Sequence, residues 1–290
     1  MNTDGPERSS ERPDLVPAAE SRDRGDTFRE LSARGTGSVV VLFSPSEGWA
    51  HRLGDEEPTG VTADLVRDFF RWVEEREGIE VEVRWVEEEE WGRFYRRVRD
   101  AAGGVLGIGN VTITAERREE VDFSPPYLNN VAVLITHEGV PELPSMEDAY
   151  SHFAGFTAYP RRGTLHEDRI EALRDQGIPD FHVQYVNSIE AVIAAVLEGP
   201  DRLAWVDIHN FWRAAEQGAP LRRHPAGDDR SESLGIILPR GSDWTPLLEA
   251  FFHEGEGYPN SLRYRELLET HLGEGLAGLL QEVGAEADER

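Results

Sequence analysis

Residues 112–127 read T-I-T-A-E-R-R-E-E-V-D-F-S-P-P-Y, and the apolar, glycine-containing run 105–110 precedes them. The run predicts a strand that ends at Asn110, followed by a polar turn and a helix that carries Arg117. Such a strand end offers free backbone N–H groups, the hydroxyl of Thr112 and a guanidinium. Because arginine presents a planar fork of donors, this set of groups suits a carboxylate ligand.

Short apolar runs alternate with helical patterns on both sides of this stretch. A strand–helix–strand order of this kind favours an α/β fold with a parallel or mixed sheet covered by helices. The predicted strands cover residues 38–43, 79–85, 105–108, 131–135, 155–159, 182–186, 203–206 and 234–239.

The same order divides the chain into two α/β lobes joined by two crossing strands. Residues 26–132 and 237–290 are assigned to lobe 1, and residues 133–236 to lobe 2. Residues 1–25 are polar and rich in Pro, Ser and charged side chains, so a disordered linker is predicted there. Two lobes joined in this way leave a cleft between them, which is a common place for a small-molecule site.

The charge balance argues against several kinds of partner. The chain carries 30 cationic and 56 acidic residues, for a formal net charge of −26. Phosphate groups would be repelled, so neither nucleic acid nor an anionic membrane surface is an expected partner. All the cationic residues are arginine. Two explanations of the acidity stay open: a halophilic host, or an ordinary acidic protein of a GC-rich genome.

Residue types exclude further classes of function. The absence of cysteine rules out disulfides, a thiol nucleophile and a cysteine-type zinc site. The histidines show no close metal-binding spacing, so neither a metal nor a cofactor is expected. No apolar run approaches the ~18 residues of a membrane helix. The N-terminus lacks the apolar core of a signal peptide, so an exported protein would have lost its leader from this chain.

Asp207 directly follows the predicted strand 203–206 in the second lobe. Arg117 and Asp207 thus each follow a strand, in separate lobes. A zwitterionic amino acid needs a cation for its carboxylate and an anion for its ammonium, and charge-assisted hydrogen bonds contribute roughly 1.5–3 kcal/mol each. The alternative interpretations are a surface ion pair for Arg117 and a helix N-cap for Asp207.

The stretch 112–127 also resembles the signature T-I-T-x-E-R-x-x-x-V-D-F-S-x-P-Y of the family 3 extracellular solute-binding proteins. These are the type II periplasmic binding proteins for amino acids. The resemblance runs from about residue 26 to residue 273. Further similar motifs follow in the family's order: Gly60-x-x-x-Asp64-Leu65, Gly163-Thr164, Tyr185 with Ser188-x-Glu190, the segment 203–207 and the strand 233–242.

The resemblance implies a role for each matching residue. Arg117 would bind the ligand α-carboxylate, with help from Thr112 in the first lobe and Thr164 in the second. Thr164 would begin a helix, and helix N-termini attract anions. Asn110 would offer a carbonyl oxygen to the ligand ammonium, and Asp207 would hold that ammonium.

Recognition of the ligand side chain is the part that the resemblance transfers least. Trp49 lies near the family's aromatic platform, and a core or loop tryptophan is the alternative interpretation. The surrounding loop 44–54 departs from the family's Y-P-P-F pattern, and Thr62 replaces the first Asp of its G-x-D-x-D-L helix start.

Three functions are compatible with these observations. The first is a monomeric, periplasmic or extracellular receptor that captures an amino acid or similar polar solute and delivers it to a membrane ABC importer, with no catalysis. The second is a dehydratase on the same fold, of the cyclohexadienyl type, in which Glu47 or Asp207 would be a general acid of raised pKa. The third is a ligand-sensing domain of a larger receptor or cell-wall enzyme.

Overall fold

The computed structural model describes residues 23–288. Most of the predicted linker 1–25 therefore lies outside the described residues. Its last residues lie against the first lobe. The Asp23 carboxylate accepts hydrogen bonds from Arg97 at 2.6 and 2.8 Å, and Gly25 forms an isolated parallel bridge with Gly103.

Helices and strands alternate along the described chain. The helices are α1 (Phe28–Arg34), α2 (Val61–Glu77), α3 (Trp91–Arg99), α4 (Ala115–Glu120), α5 (Ala149–His152), α6 (Leu165–Arg174), α7 (Ile189–Leu197), α8 (Ile208–Glu216), α9 (Thr245–His253), α10 (Leu262–Leu272) and α11 (Glu274–Asp288). The strands are β1 (Thr36–Phe43), β2 (Glu80–Glu87), β3 (Val105–Thr112), β4 (Val121–Phe123), β5 (Leu128–His137), β6 (Thr157–Ala158), β7 (His182–Val183), β8 (Arg202–Asp207) and β9 (Leu221–Pro239).

The strands form one mixed sheet in the order β2-β1-β3-β9-β5-β8-β6-β7, with β4 also paired to β9. β1 is parallel to β2 and β3 in the first lobe, and β6 is parallel to β7 and β8 in the second. β5 and β9 are antiparallel to each other and connect the two parallel groups. The structure thus has the predicted α/β class and the predicted pair of crossing strands.

The strand β3 continues to Thr112, two residues beyond its predicted end at Asn110. The register of β3 against β9 shifts between Gly107 and Val111, and Asn110 has a positive φ of 52°. Asparagine tolerates this left-handed conformation better than most residues. The turn signal at Asn110 was therefore a bulge within the strand.

The strand β9 begins at Leu221, whereas the sequence predicted only its last segment, 234–239. The missed part is rich in charged residues, which usually indicate a loop. In the structure these charges form ion pairs: Arg223 pairs with Asp228, and Arg169 of α6 pairs with Asp229 at 2.7 Å. Because these ion pairs balance the charges of the side chains, the charged segment can form a strand whose backbone pairs with β5.

Buried apolar side chains form clusters on both faces of the sheet. The largest cluster includes side chains of α2, α9 and α10, and extends to Val133 of β5 and Val206 of β8. The final helix α11 packs against β5, with Leu276 and Leu280 buried in the same cluster. The lobe boundaries given above remain predictions. Among residues 23–288, no helix combines the length and apolarity needed to cross a bilayer.

His224 lies fully buried on β9, in the second lobe. Its Nδ1 accepts a hydrogen bond from the Leu143 backbone N–H at 2.9 Å, and its Nε2 lies 2.8 Å from the hydroxyl of Thr136. An Nδ1 that accepts from an N–H carries no proton, so the ring is neutral. Burial, together with the nearby charges of His152 and Arg222, lowers the pKa of His224 from 6.5 to about 4.

We expect the free energy of unfolding to fall as the pH drops from 6.5 towards 4. In this range His224 binds a proton in the unfolded chain but stays neutral in the folded protein, because its pKa is lowered there. The contribution is at most about 3 kcal/mol. In the variant His224→Asn, whose amide oxygen can still accept from Leu143, this fall should be smaller. Urea unfolding across this range measures it. His253→Asn, an exposed site on α9, should keep the wild-type slope; equal slopes in all three proteins would contradict the assignment.

Candidate functional site

A cleft of about 880 Å³ opens between the lobes. It lies at the carboxyl ends of β1 and β3 from the first lobe and of β8 from the second, where α/β sheets commonly bind ligands. Five of the six predicted site residues line it: Asn110, Thr112, Arg117, Thr164 and Asp207. The crossing strands therefore bring together side chains that are far apart in the sequence.

Arg117 is held in the cleft by the start of α4. Thr114 caps this short helix, and its hydroxyl accepts a hydrogen bond from the Arg117 backbone N–H at 3.2 Å. The guanidinium donates from Nη1 to the Thr112 carbonyl oxygen at 3.0 Å and lies over the ring of Trp91, 4.9 Å from its centroid. Burial lowers the pKa of Arg117, although an arginine stays charged. Within the described chain it forms no ion pair, so the surface-pair interpretation is wrong.

One buried amide connects two carboxylates at the floor of the cleft. Asn130 on β5 donates from Nδ2 to Asp207 Oδ1 at 2.6 Å and to Glu232 Oε2 at 3.0 Å. Glu232 also accepts from the Thr112 hydroxyl at 3.3 Å and forms an ion pair with Arg169 through its other oxygen. Asn130 and Glu232 are almost completely buried. The carboxylates are therefore fixed in position without a bound ligand.

Asp207 presents one carboxylate oxygen to the cleft. His166 lies 3.4 Å from Oδ1 of Asp207, the same oxygen that Asn130 contacts. Arg169 lies 3.2 Å from the Nδ1 of His166, and an arginine only donates, so this nitrogen accepts and His166 donates through Nε2. Burial opposes the charge on Asp207, but the hydrogen bond from His166, together with the one from Asn130, holds its pKa below the usual value.

Asp207 precedes α8 at the N-cap position, but its side chain makes no capping hydrogen bond. Its carboxylate is turned towards Asn130 and His166 instead. Thr164 occupies the same position before α6, and its hydroxyl donates to the Arg161 carbonyl oxygen at 2.8 Å. The first residues of α6 thus line the cleft, and the first backbone N–H groups of this helix have no side-chain cap, which suits an anion.

Asn110 is fixed through its side chain. Its Oδ1 accepts a hydrogen bond from the Tyr127 hydroxyl at 3.0 Å. The Oδ1 is occupied in this way, so the Nδ2 and the main chain are the parts of Asn110 that can contact a ligand. This geometry is compatible with the carbonyl role that the resemblance implied.

Trp49 does not line the cleft, contrary to its expected role as the aromatic platform. The ring is only 1% exposed and packs in the core against Tyr127 and His209, at centroid distances of 6.3 and 5.3 Å. The carbonyl oxygen of Trp49 accepts a 2.8 Å hydrogen bond from the hydroxyl of Thr62 at the start of α2. This hydrogen bond connects the loop after β1 to the start of α2, and the Trp49 ring lies in the core.

Trp91 is the tryptophan that borders the cleft. It begins α3 directly after the acidic segment that follows β2, and its ring stacks on Tyr95 with an interplanar angle of 10°. The place of Trp91 at the cleft was not evident from the sequence, because Trp91 also fits the apolar face of an ordinary helix. Its position in the sequence could have indicated the cleft, since Trp91 follows the end of a strand as Arg117 does.

Further residues of the cleft were missed for a similar reason. Asn130 and Glu232 lie on the crossing strands, Arg161 precedes the predicted Gly163-Thr164 turn, and His166 begins α6. Of these, Arg161 had the clearest signal, because a cation beside a glycine turn at a cleft is available to an anion. Asn130 and Glu232 become neighbours only through the pairing of β5 with β9.

Neither carboxylate proposed as a general acid has the surroundings of one. The Glu47 side chain is 65% exposed and pairs with Arg213 at 3.2 Å. Asp207 has a lowered pKa rather than the raised pKa that a proton donor needs. His209, buried beside Asp207 on the cleft wall, has its pKa lowered to about 4 by burial.

The chain matches one protein family, described as bacterial extracellular solute-binding proteins, family 3, over residues 47–257. This range includes both crossing strands, the whole second lobe and each of the predicted site residues.

The chain shares its fold with solved structures, among them the following two. A variant of ArgBP from T. maritima is 18% identical, with a TM-score of 0.66, and the match covers 85% of this chain and 99% of that one. The arginine-, lysine-, histidine-binding protein ArtJ from Geobacillus stearothermophilus is 19% identical, with a TM-score of 0.62 and coverage of 82% and 96%. At these identities the likeness shows the fold alone, and it confirms the two-lobed prediction.

A curated relative is the membrane-bound lytic murein transglycosylase F of Desulfosudis oleivorans. It is 27% identical over 142 residues, which are 49% of this chain and 28% of that protein. The chain thus matches only a part of the longer protein.

The variant Asn130→Asp tests the role of the buried amide. The change replaces the shared donor by a third carboxylate beside Asp207 and Glu232, so we expect a loss of about 3 kcal/mol in the free energy of unfolding at pH 8. The loss should be smaller at pH 5, because a protonated carboxyl can donate as the amide does and the new group has a raised pKa in the folded state.

Asn129→Asp is the matched control on the same strand. The Oδ1 of Asn129 accepts a hydrogen bond from the Ser233 hydroxyl at 2.8 Å, and an aspartate keeps that acceptor. Urea unfolding at both pH values compares the two variants. Equal stabilities for the two variants would contradict the assigned role of Asn130.

Proposed function

The chain belongs to family 3 of the bacterial extracellular solute-binding proteins, and we propose that it captures an amino acid or similar small polar solute in the interlobe cleft. One observation carries the proposal. Arg117, a cation with no ion-pair partner among the described residues, and Asp207, an anion held by neutral donors, line the same cleft from different lobes. A zwitterion supplies the opposite charge to each.

The expected affinity follows from these contacts. Arg117, Thr112 and the N-terminus of α6 would hold the α-carboxylate, and Asp207 would hold the ammonium. Charge-assisted hydrogen bonds contribute roughly 1.5–3 kcal/mol each. Two or three of them, with burial of the ligand side chain, would give about −8 kcal/mol, which corresponds to a micromolar dissociation constant.

Binding would be coupled to movement of the lobes. Arg117 belongs to the first lobe, whereas Thr164 and Asp207 belong to the second, so a single ligand contacts both. A ligand that binds the closed arrangement more tightly than the open one stabilises closure. The movement would be a hinge rotation at β5 and β9.

We further propose a location outside the cytoplasm and an ABC permease as partner, both on the basis of family membership. The likeness to ArgBP and to the arginine-, lysine-, histidine-binding protein ArtJ supports amino acids as the ligand class. No chemical step is required, in keeping with the lowered pKa of Asp207 and the exposed ion pair of Glu47.

The similarity to part of a murein transglycosylase favours a second candidate, a ligand-sensing domain of a larger cell-wall enzyme. The two candidates share the same cleft. They differ in the partner that responds to the bound state, which is a membrane permease for the first and an effector domain for the second. The full-length gene distinguishes them, because an importer component lies beside permease genes whereas a sensing domain continues into an effector domain.

Calorimetric titration of the twenty amino acids tests the proposal, with Arg117→Ala as the informative variant. The loss of Arg117 leaves the ligand carboxylate buried without a cation, so binding should weaken by about 3–5 kcal/mol. Arg118→Ala is the control: Arg118 is the next residue on α4, is exposed, and lies over Phe123 outside the cleft.

The control should bind as the wild type does. Unchanged affinity in Arg117→Ala would remove this residue from the site. A wild-type protein that binds no zwitterion would overturn the receptor proposal itself.

A further inference from the structure

Arg161 provides a second guanidinium in the cleft. Its Nε donates to the Asn187 carbonyl oxygen at 3.3 Å, and its Nη2 donates to the Ser44 hydroxyl at 3.3 Å and to the Glu89 carbonyl oxygen at 3.4 Å. All of these acceptors are neutral and the bonds are long. Arg161 forms no ion pair in the described part of the chain, and burial lowers its pKa as it does for Arg117.

The charges around the cleft do not balance. Glu232 is paired with Arg169, whereas Asp207 is held by the Asn130 amide and by Nε2 of His166. Among the cleft residues that are not exposed, two cations, Arg117 and Arg161, and one anion, Asp207, are therefore left without a partner of fixed opposite charge. Glu89 and Glu190 also line the cleft and form no ion pair in the described chain, but both are exposed. Partly buried charges are stable when they are paired, and an unpaired one is costly.

A bound zwitterion would pair Arg117 and Asp207 and leave Arg161 unpaired. We propose that the ligand supplies a second anionic group for Arg161 and is therefore an acidic amino acid. This inference rests on the proposed receptor function and names the ligand class for the same cleft. The second carboxylate would accept hydrogen bonds from the guanidinium, whose planar fork matches carboxylate geometry.

The second carboxylate would be contacted from both lobes. Ser44 follows β1 in the first lobe and is only 2% exposed. Its oxygen accepts a hydrogen bond from Arg161 of the second lobe, and no described acceptor takes its own proton. A serine hydroxyl has one proton to donate. Ser44 and Arg161 can thus bind the same carboxylate, which adds a contact to the closed arrangement.

The acidic residues at the cleft mouth do not reverse the preference. Glu47 is mostly exposed and pairs with Arg213, Glu87 pairs with Arg52 at 3.4 Å, and Glu90 pairs with Arg96 at 3.5 Å. Glu89 and Glu190 form no ion pair in the described chain. The charge of Glu190 opposes the lowering of the pKa of Arg161, but both glutamates are exposed. Exposed charges act through water and are screened by salt. A basic ligand side chain would have to lie beside Arg161 itself, where the repulsion is least screened.

Calorimetric titration with L-glutamate, L-aspartate, their amides L-glutamine and L-asparagine, and L-arginine tests the proposal. An acidic ligand should bind at least about tenfold more tightly than its own amide, since a site built for a buried charge rejects a ligand that lacks it. In Arg161→Gln the affinity for the acidic ligand should fall by about tenfold or more, while the affinity for the amide changes by less than about threefold.

Arg162→Gln is the matched control. Arg162 is the adjacent residue, is exposed, and stacks on Tyr185 at 4.2 Å from the ring centroid, outside the cleft. It should keep both the affinity and the preference of the wild type. The same loss of preference in Arg162→Gln would show a general charge effect and overturn the role of Arg161.

The outcomes separate the two proposals. If amino acids bind but the amides or arginine bind more tightly, or if Arg161→Gln weakens all ligands equally, the acidic-ligand inference is overturned and the receptor function stands. If no amino acid binds, both are overturned.

Discussion

The antiparallel pairing of β5 with β9 is the contact on which both lobes depend. One part of this ladder continues into the first-lobe strands through β3, and the other part continues into the second-lobe strands through β8. Its register places Asn130 opposite Glu232, while Ala132, two residues further along β5, lies opposite Asp207. Since residues two apart in a strand face the same side, the pairing brings both carboxylates to one amide. The strands that join the lobes therefore also build the floor of the cleft.

The charge of the cleft differs from the charge of the chain. The net charge of −26 would repel an anion from a distance, yet the groups that a ligand meets include two arginines without ion-pair partners in the described structure. At 0.1 M salt the Debye length is about 10 Å, so the distant carboxylates are screened while contacts inside the cleft are not. Recognition is thus decided by the nearest groups. The explanation of the acidity by a halophilic host stays a prediction, because the fold and the cleft are the same under either explanation.

The elements and residues that the sequence predicted are those with local causes. β1, α2 and α7 have apolar spacing and terminal residues that specify them, and Arg117 and Asp207 follow strands that were visible as apolar runs. The first half of β9 was missed because its side chains are satisfied by ion pairs with residues distant in the chain, such as Arg169 with Asp229. The prediction for the cleft tryptophan was wrong for a related reason: Trp49 lies in the core, and Trp91 borders the cleft. Which of two tryptophans faces the cleft depends on how the loop after β1 closes onto α2, and one sequence does not encode that as a pattern.

The unpaired arginines also give a physical reason why the proposed receptor would favour an open form when its cleft is empty. Closing the lobes would withdraw Arg117 and Arg161 from water, and neither has a carboxylate partner among the described residues in exchange. Two neutral acceptors, the Ser44 hydroxyl and the Glu89 carbonyl oxygen, compensate only in part for the lost hydration of Arg161, since their hydrogen bonds to it are 3.3 and 3.4 Å long. A ligand that brings the missing negative charges makes closure favourable, and its binding free energy is then the difference between the two states. On this argument the ligand acts as the counter-ion of the closed protein, so the residues that select it and those that drive closure are the same.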